Sequence, residues 1–485
     1  MTSAFPAHKT KIVATIGPAS ESPEMLVRLI RAGVNVARLN FSHGDFSRHA
    51  EVTRRIRDAA RETGRRVAIM ADLPGPKMRL GKIDPEPIQL LPGAPFTLTN
   101  EDIVGNSQRV SMSFEPLPRV VKPGNRIFLN DGLVQLVVER VVDNDVECTV
   151  AVGGELRSRK GLNLPGIELG ISAFTEKDRV ALEFALGIGA DAVSQSFVHR
   201  AADIEAVREA AAKLGRQPVV IAKIERADAV SHFDEILAAS DGIMVARGDL
   251  GVEVPIEEIA YTQKELIAKA NLAGKPVITA TQMLESMVAS RLPTRAEATD
   301  VANAILDGTD CVMLSAESAM GKFPEEAVTM LAKIAAFTEA HSPSRSFEAQ
   351  RDFLEEKMTT ITGDRMASVV EHALETVPCD LLLVPTRGGT VARAISRCKP
   401  PVWIVAPCSD PAVCQKLAFS YGLYPVDLAE DPDDWRQWIE RWLRENGITA
   451  QRVMLVAGPS PRNPKANYRI ELMRLDVQNV QVSEK

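Results

Sequence analysis

Eight short apolar runs, separated by segments that are apolar at helical spacing, constrain this chain more than any other feature. They are TKIVATIG (10–17), NVARLNF (35–41), RVAIMADL (66–73), ADAVSQSFV (190–198), PVVIAKIE (218–225), GIMVARGD (242–249), PVITATQ (276–282) and CVMLSAE (311–317). Runs this short and this continuously apolar suit parallel strands buried on both faces. The intervening segments, such as SPEMLVRLIRAG and IEEIAYTQKELIAKANLAG, end in Gly, a helix stop signal. Eight alternating β and α units predict an α/β chain built on a (β/α)8 TIM barrel.

One connection breaks the rhythm. Between the third and fourth runs, residues 74–172 shift to Pro, Gly and short β-branched runs: PFTLT, NRIFLN, LVQLVVERVV and VECTVAV. Pro-Gly, Asp-Gly and Gly-Gly turn signals punctuate this stretch, which reads as a small all-β domain. An insert in a βα loop belongs over the active-site face of a barrel, so a lid is its natural role. After a bridging segment (320–350), LLLVPT, PVWIVAP, LYPVDL and VMLVAGP alternate with helical stretches such as WRQWIERWLRENG. The expected domains are therefore a barrel in two parts (1–73 and 173–345), a β lid (74–172) and a C-terminal α/β domain (346–485).

Composition removes several classes of function. The net charge of −7, from 57 basic and 64 acidic residues, argues against nonspecific nucleic-acid binding. Cys148, Cys311, Cys379, Cys398, Cys408 and Cys414 form no C-x-x-C pair and no zinc spacing. Reduced thiols in a cytoplasmic protein are the expectation. The segment MTSAFPAHKTKIVATIG lacks the apolar core of a secretory signal. No run approaches the ~18 apolar residues of a membrane span.

The richest stretch is PVVIAKIERADAVSHFDEILAASDGIMVARGDLG (218–251). Lys223 and Glu225 close one apolar run and Asp249 closes the next. Ligands of parallel α/β folds sit at the carboxyl ends of strands. Two carboxylates suit Mg²⁺, which prefers one or two carboxylates plus substrate phosphates and water. A lysine supplies a point charge for a phosphoryl group. The second run ends in Arg38-Leu-Asn40-Phe-Ser42-His43-Gly44, where Arg38 suits bidentate phosphate binding and Asn40 and Ser42 offer oxygens. A capped turn explains the same residues, and His43 taken alone reads as structural. Asp72, Lys77 and Arg79 follow the third run and read by themselves as solvated loop charges. Thr281 and Ser315 stand at the ends of the seventh and eighth runs, either orienting substrate or capping a helix; Glu317 follows Ser315. No phosphate loop of the G-x-x-x-x-G-K-[ST] type occurs. Gly187-x-Gly189-x-x-Ala192 follows a helix and precedes a strand, the reverse of a dinucleotide fingerprint.

Together the segments KTKIVATIGPAS, NVARLNFSHG, KIE with VARGDLGVE, ATQMLESM, PTRAEATDVANAILDGTDCVMLSAES and GLNLPG resemble the pyruvate kinase family over nearly the whole chain. The resemblance implies transfer of a phosphoryl group from phosphoenolpyruvate to ADP, giving pyruvate and ATP, in a homotetramer. It implies Glu225 and Asp249 as ligands of Mg²⁺ or Mn²⁺, Lys223 as the phosphoryl-stabilising ammonium and Arg38 as the phosphate-binding arginine. It sets the amides of Arg247, Gly248 and Asp249 against the substrate carboxylate and Thr281 beside the enol. Ser315 and Glu317 match positions tied to protonating the enolate. Arg79, Lys160, Asp131, Asn40 and His43 match the nucleotide side. Such chemistry is positioning plus charge neutralisation of a loose phosphoryl transition state.

Two departures from the family pattern stand out. Relatives that require K⁺ carry Asp-Thr-Lys-Gly-Pro-Glu where this chain has Asp72-Leu73-Pro74-Gly75-Pro76-Lys77. Leu73 and Leu80 replace threonines, whereas Asn40, Ser42 and Asp72 still match monovalent-cation positions. The Lys77 ammonium can supply the charge of K⁺, so K⁺-independence is expected. In the C-terminal region Thr386-Arg387-Gly388-Gly389-Thr390-Val391 resembles an effector phosphate loop before a helix N-terminus. Gly388 and Val391 stand where fructose-bisphosphate-activated relatives have serines, which favours another phosphorylated effector, with Arg462 and Lys465 contributing. An unregulated loop is the alternative there. For the whole chain the alternatives are a Mg²⁺-dependent lyase acting on pyruvate or phosphoenolpyruvate, and a catalytically idle metabolite sensor.

Overall fold

The computed structural model describes residues 5–342, 362–459 and 465–475. Eight strands close a parallel barrel: β1 (Lys11–Thr15), β2 (Val34–Asn40), β3 (Ala68–Leu73), β4 (Ala192–Gln195), β5 (Val219–Ile224), β6 (Gly242–Ala246), β7 (Val277–Ala280) and β8 (Cys311–Leu314). Their order is β1-β8-β7-β6-β5-β4-β3-β2, so each apolar run of the sequence is one stave. Every residue of β1, β3, β5, β6 and β8 is buried, which is why these strands read as continuous apolar runs without alternation. The pairing is parallel, Lys11 to Cys311 through Ala14 to Leu314 for β1 on β8 and Ile221 to Gly242 through Ile224 to Val245 for β5 on β6.

The helices start and stop where their caps dictate. Ser22 accepts a hydrogen bond from the Met25 amide at the start of Pro23–Ala32. Thr294 and Glu297 form a reciprocal capping box on Arg295–Asp307, and Gly308 ends that helix in the left-handed region at φ 100°.

By its contacts the chain forms two compact units, Met1–Ala71 with Leu186–Ala192 and Ile267–Lys485, and Asp72–Ala185 with Val193–Leu266. The second holds the insert. Its six-stranded sheet runs in the order Leu162–Asn163, Arg126–Leu129, Val134–Val142, Asp145–Val152, Pro95–Thr99, Arg109–Ser111. The strands alternate buried and open residues, and Phe96, Leu98, Val110, Ile127 and Leu136 meet in one apolar core. The all-β expectation holds apart from one short helix, Leu117–Val120.

The first unit ends in an α/β sheet of β9 (Leu381–Leu383), β10 (Trp403–Cys408), β11 (Leu423–Asp427), β12 (Arg452–Ala457) and β13 (Arg469–Arg474), in the order β11-β10-β9-β12-β13. Four of these strands were expected. The fifth, RIELMR, runs antiparallel along the edge beside β12 and buries only Met473 well, so its sequence carries neither an apolar run nor clean alternation. Asp434 caps the helix Trp435–Glu445, whose Trp438, Ile439, Trp442 and Leu443 face the sheet. The expected boundary at 345/346 lies outside the described residues.

Candidate active site

The second unit gathers charge at the ends of β3 and β5. Lys223 is 8% exposed. Its Nζ donates to Ser196 Oγ at 2.6 Å and lies 3.3 Å from Glu225 Oε2 and 3.6 Å from Asp72 Oδ1. Ser194 donates its hydroxyl to Asp72 at 2.6 Å. An ammonium is tolerated at this depth because two carboxylates and a hydroxyl replace its water. Glu225 receives the Phe197 amide on Oε1 at 2.6 Å, while Oε2 accepts no hydrogen bond. Burial pushes the Glu225 carboxyl above the usual range; Lys223 opposes the shift, and Asp249 and Asp72 add to it. Phe197 sits at φ 58°, a strained setting for an aromatic residue, and that backbone aims its N–H at Glu225.

Ser194, Ser196 and Phe197 escaped the sequence reading. The only available signal was the polar Ser194-Gln195-Ser196 inside the ADAVSQSFV run. Asp178 was also missed; it is fully buried and accepts the Gly75 amide at 2.8 Å, fixing the turn that follows β3. Gly75 itself has φ 63°, and a Cβ there would stand 2.8 Å from the Phe197 ring. Lys77 follows on this turn. Its side chain is open to solvent, yet atoms crowded around the ammonium depress its pKa, with repulsion from Lys223 next in size. Asp72, Glu225 and Asp249 pull the other way. Leu73 is fully buried, and its side chain brings no oxygen to the monovalent-cation positions.

Asp249 lies in the first turn of the helix Arg247–Glu253, which begins immediately after β6. That helix start carries no side-chain cap, so its amides suit an anion. Arg247 is held by Gln263 at 3.3 Å. In the β domain, Arg79 Nη1 donates to the Arg159 carbonyl at 3.0 Å, and Leu80 N donates to Lys160 O at 2.9 Å. Gly161, next to Lys160, bridges Arg79, and a Cβ on it would lie 3.9 Å from Asp131 Oδ1. The fold thus brings Arg79, Asp131 and Lys160 into one corner.

The first unit holds the remaining candidates. Arg38, 8% exposed at the end of β2, donates to Thr15 Oγ1 at 2.9 Å. Asn40 accepts the Ser42 amide at 3.0 Å, the capped turn weighed for these residues, and His43 is exposed. Thr281 and Gln282 take φ 69° and 55°, and Thr281 Oγ1 donates to the Ala280 carbonyl at 2.6 Å. No α-helix starts there, so Thr281 is not a cap. Ser315 makes no side-chain capping bond on the turn Ala316–Ala319. Glu317 is fully buried and accepts the amides of Leu284 at 3.1 Å and Ser315 at 2.7 Å, fastening the loops after β7 and β8 together.

The site chemistry fits a divalent ion. Glu225 Oε2 is a buried oxygen without a hydrogen bond, and mutual repulsion with Asp249 raises its affinity for protons or metal alike. Among the described residues no group of three His, Cys, Asp or Glu side chains forms a complete cage.

The sequence matches the family model "Pyruvate kinase, barrel domain" over residues 7–328 and "Pyruvate kinase, alpha/beta domain" over residues 364–468. The chain belongs to the pyruvate kinase family. A pyruvate kinase of Thermococcus litoralis is 50% identical over 429 residues, covering 88% of this chain and 90% of its own. One from Mycobacterium intracellulare is 38% identical over 482 residues, 98% of this chain and 100% of the relative. The crystal structure of a pyruvate kinase from Cryptosporidium parvum superposes with a TM-score of 0.89 at 36% identity, covering 96% of each chain. Membership makes this chain a phosphotransferase, and pyruvate kinases take phosphoenolpyruvate and ADP to pyruvate and ATP. The closed eight-stranded barrel, the β insert and the C-terminal α/β domain are the fold of the family.

In the C-terminal domain, Thr386 Oγ1 accepts the Gly389 amide at 2.9 Å just before the helix Thr390–Ser396. Gly389 has φ 80°, and a Cβ there would meet Arg393 at 2.7 Å and Leu417 at 2.9 Å. A cavity of about 670 Å³ is lined by Thr386, Arg387, Asp431, Trp435, Lys465 and Arg469 among others. Lys465 lines this cavity with Arg387, and Arg462 lies outside the described residues.

Proposed function

We propose that this chain moves the phosphoryl group of phosphoenolpyruvate to ADP with Mg²⁺ or Mn²⁺ held by Glu225 and Asp249, and that it needs no K⁺. The observation that carries this reading is the buried Lys223 ammonium shared by Ser196, Glu225 and Asp72. A fixed ammonium in low dielectric stabilises charge spread over a migrating phosphoryl group and needs no reorganisation at the moment of transfer. A bound divalent ion supplies Lewis-acid neutralisation of phosphate oxygens. Arg38 grips the phosphate, the amides of Arg247, Gly248 and Asp249 receive the carboxylate, and Thr281, Ser315 and Glu317 serve the enolate. Arg79, Asp131, Lys160, Asn40 and His43 serve the nucleotide, with the β domain (74–172) as the lid between barrel parts 1–73 and 173–345. The lyase and idle-sensor alternatives lose ground to the retained Lys223 set and to the match over both domains.

The K⁺ part of the reading rests on Lys77. Its ammonium feels Asp72, Glu225 and Asp249, the field that would otherwise attract a monovalent cation. The decisive assay follows pyruvate release from phosphoenolpyruvate, ADP and Mg²⁺ in K⁺-free buffer. Rapid Mg²⁺-dependent release supports both parts. Silence rescued by K⁺ discards the role of Lys77 alone, and silence under all conditions discards the transfer reading.

A phosphorylated effector other than fructose 1,6-bisphosphate is proposed for the cavity beside Arg387, Lys465 and Arg469 in the C-terminal domain (346–485). Its three cations match phosphate, and Gly388 offers no hydroxyl to a second one. Homotetrameric assembly and a cytoplasmic location complete the proposal. Among the described residues no helix is long and apolar enough to cross a membrane.

A further inference from the structure

Arg226, directly after the metal-ligand candidate Glu225, is 1% exposed and is the bulkiest fully buried side chain among the described residues. Each of its guanidinium nitrogens reaches a different segment. Nε donates to Asp228 Oδ1 at 3.1 Å, within its own loop. Nη2 donates to the Ile167 carbonyl at 3.1 Å, on the segment returning from the β insert. Nη1 lies 3.7 Å from Glu253 Oε1, at the far end of the helix whose first turn carries Asp249. Asp228 is itself fixed by His199 Nδ1 at 2.6 Å. A solvated charge would explain none of this. Burying a guanidinium is expensive, and the cost is met only where several acceptors are held in place.

We propose that Arg226 is a positioning residue that ties the return segment of the β insert to both loops bearing the metal carboxylates, Glu225 and Asp249. The planar fork serves two hydrogen-bond acceptors and one ion-paired carboxylate at fixed angles, which a lysine cannot do. Glu225 is one peptide unit from the fork, and Asp249 sits four residues before Glu253 on the same helix face. Movement of the returning segment therefore reaches both carboxylates through a single cation. The inference rests on the metal reading given above. It adds a mechanical link between the insert and the ion.

The test measures Mn²⁺ affinity of the nucleotide-free protein by electron paramagnetic resonance, amide exchange over residues 163–169, and the melting temperature. Arg226→Met alone would leave Glu253 buried without its cation and can fail to fold. The double variant R226M/E253Q removes that stranded charge, and R226K keeps the charge without the fork. The expected result is near-parental melting for the double variant with Mn²⁺ binding weakened about tenfold or more and faster exchange at 163–169, the scale seen when an outer partner of a metal ligand is lost. R226K moves in the same direction, and it alone decides if the double variant does not fold. Parental Mn²⁺ affinity with parental exchange in the folded variants overturns the link. A parent that binds no Mn²⁺ overturns the metal reading beneath it, an outcome distinct from the first.

Discussion

At the end of β5 Lys223 is 8% exposed, its ammonium hydrogen-bonded to Ser196 and ion-paired with Glu225 and Asp72, whereas Arg387 in the C-terminal domain stands in solvent beside an open cavity. The proposed function gives each region a phosphate to handle. In the first, protein atoms have already replaced water, so a charge there acts at full strength and cannot wander. In the second, water screens the cation and a ligand must displace it. On the proposed reading, burial separates a site that stabilises a fleeting charge from one that binds and releases a ligand.

Lys223→Met attacks that contrast at its strongest point. Turnover is expected to fall at least ~10²-fold, the scale for one preorganised electrostatic stabiliser. Steady-state rates with saturating substrates check this, and near-parental turnover would refute the role. Lys77→Glu asks whether the charge beside the buried cluster is interchangeable with an ion. The variant is expected to lose roughly tenfold or more activity in K⁺-free buffer, a loss of about 1.4 kcal/mol or above, and to regain it with KCl but not with a bulkier cation. Indifference to K⁺ would sink the substitution idea.

On the open side, Arg387→Ala is expected to weaken inorganic phosphate or sugar-phosphate binding in the cavity about tenfold, as for one charge-assisted contact. Calorimetric titration reads it, and unchanged affinity removes Arg387 from the effector site. The smallest effect concerns Glu371 in the same domain, whose carboxyl burial and neighbouring Glu375 push up to about 7. The folded state therefore favours its protonated form. Its stabilising share is full below the ordinary value of 4.5 and is lost as pH rises through about 7. Melting curves from pH 5 to 8 should show the parent losing stability relative to Glu371→Gln. Parallel curves would contradict the shift.

The sequence made the barrel legible because burial on both faces keeps most of each stave apolar. Glu225 and Asp249 stood out for the complementary reason, as the first carboxylates after buried strands. Ser196 and Phe197 were not, because a hydroxyl or an amide at a strand end has no spacing signature. The Gly75–Asp178 bond joins residues 103 apart, and no local pattern announces it. Arg226 was passed over because a charge after a strand reads as solvated, and only the packing reveals its burial. Strand β13 was missed for the opposite cause: an edge strand can stay polar, so RIELMR lacks the contrast that marks the others.

Glu317 holds the amides of Leu284 and Ser315 in one buried carboxylate. Two loops gripped by a single group behave as one mechanical part. Kinetic effects of substitutions at Thr281 and at Ser315 should then fail to add, and a double-variant cycle between them would report a shared energy rather than two separate contributions.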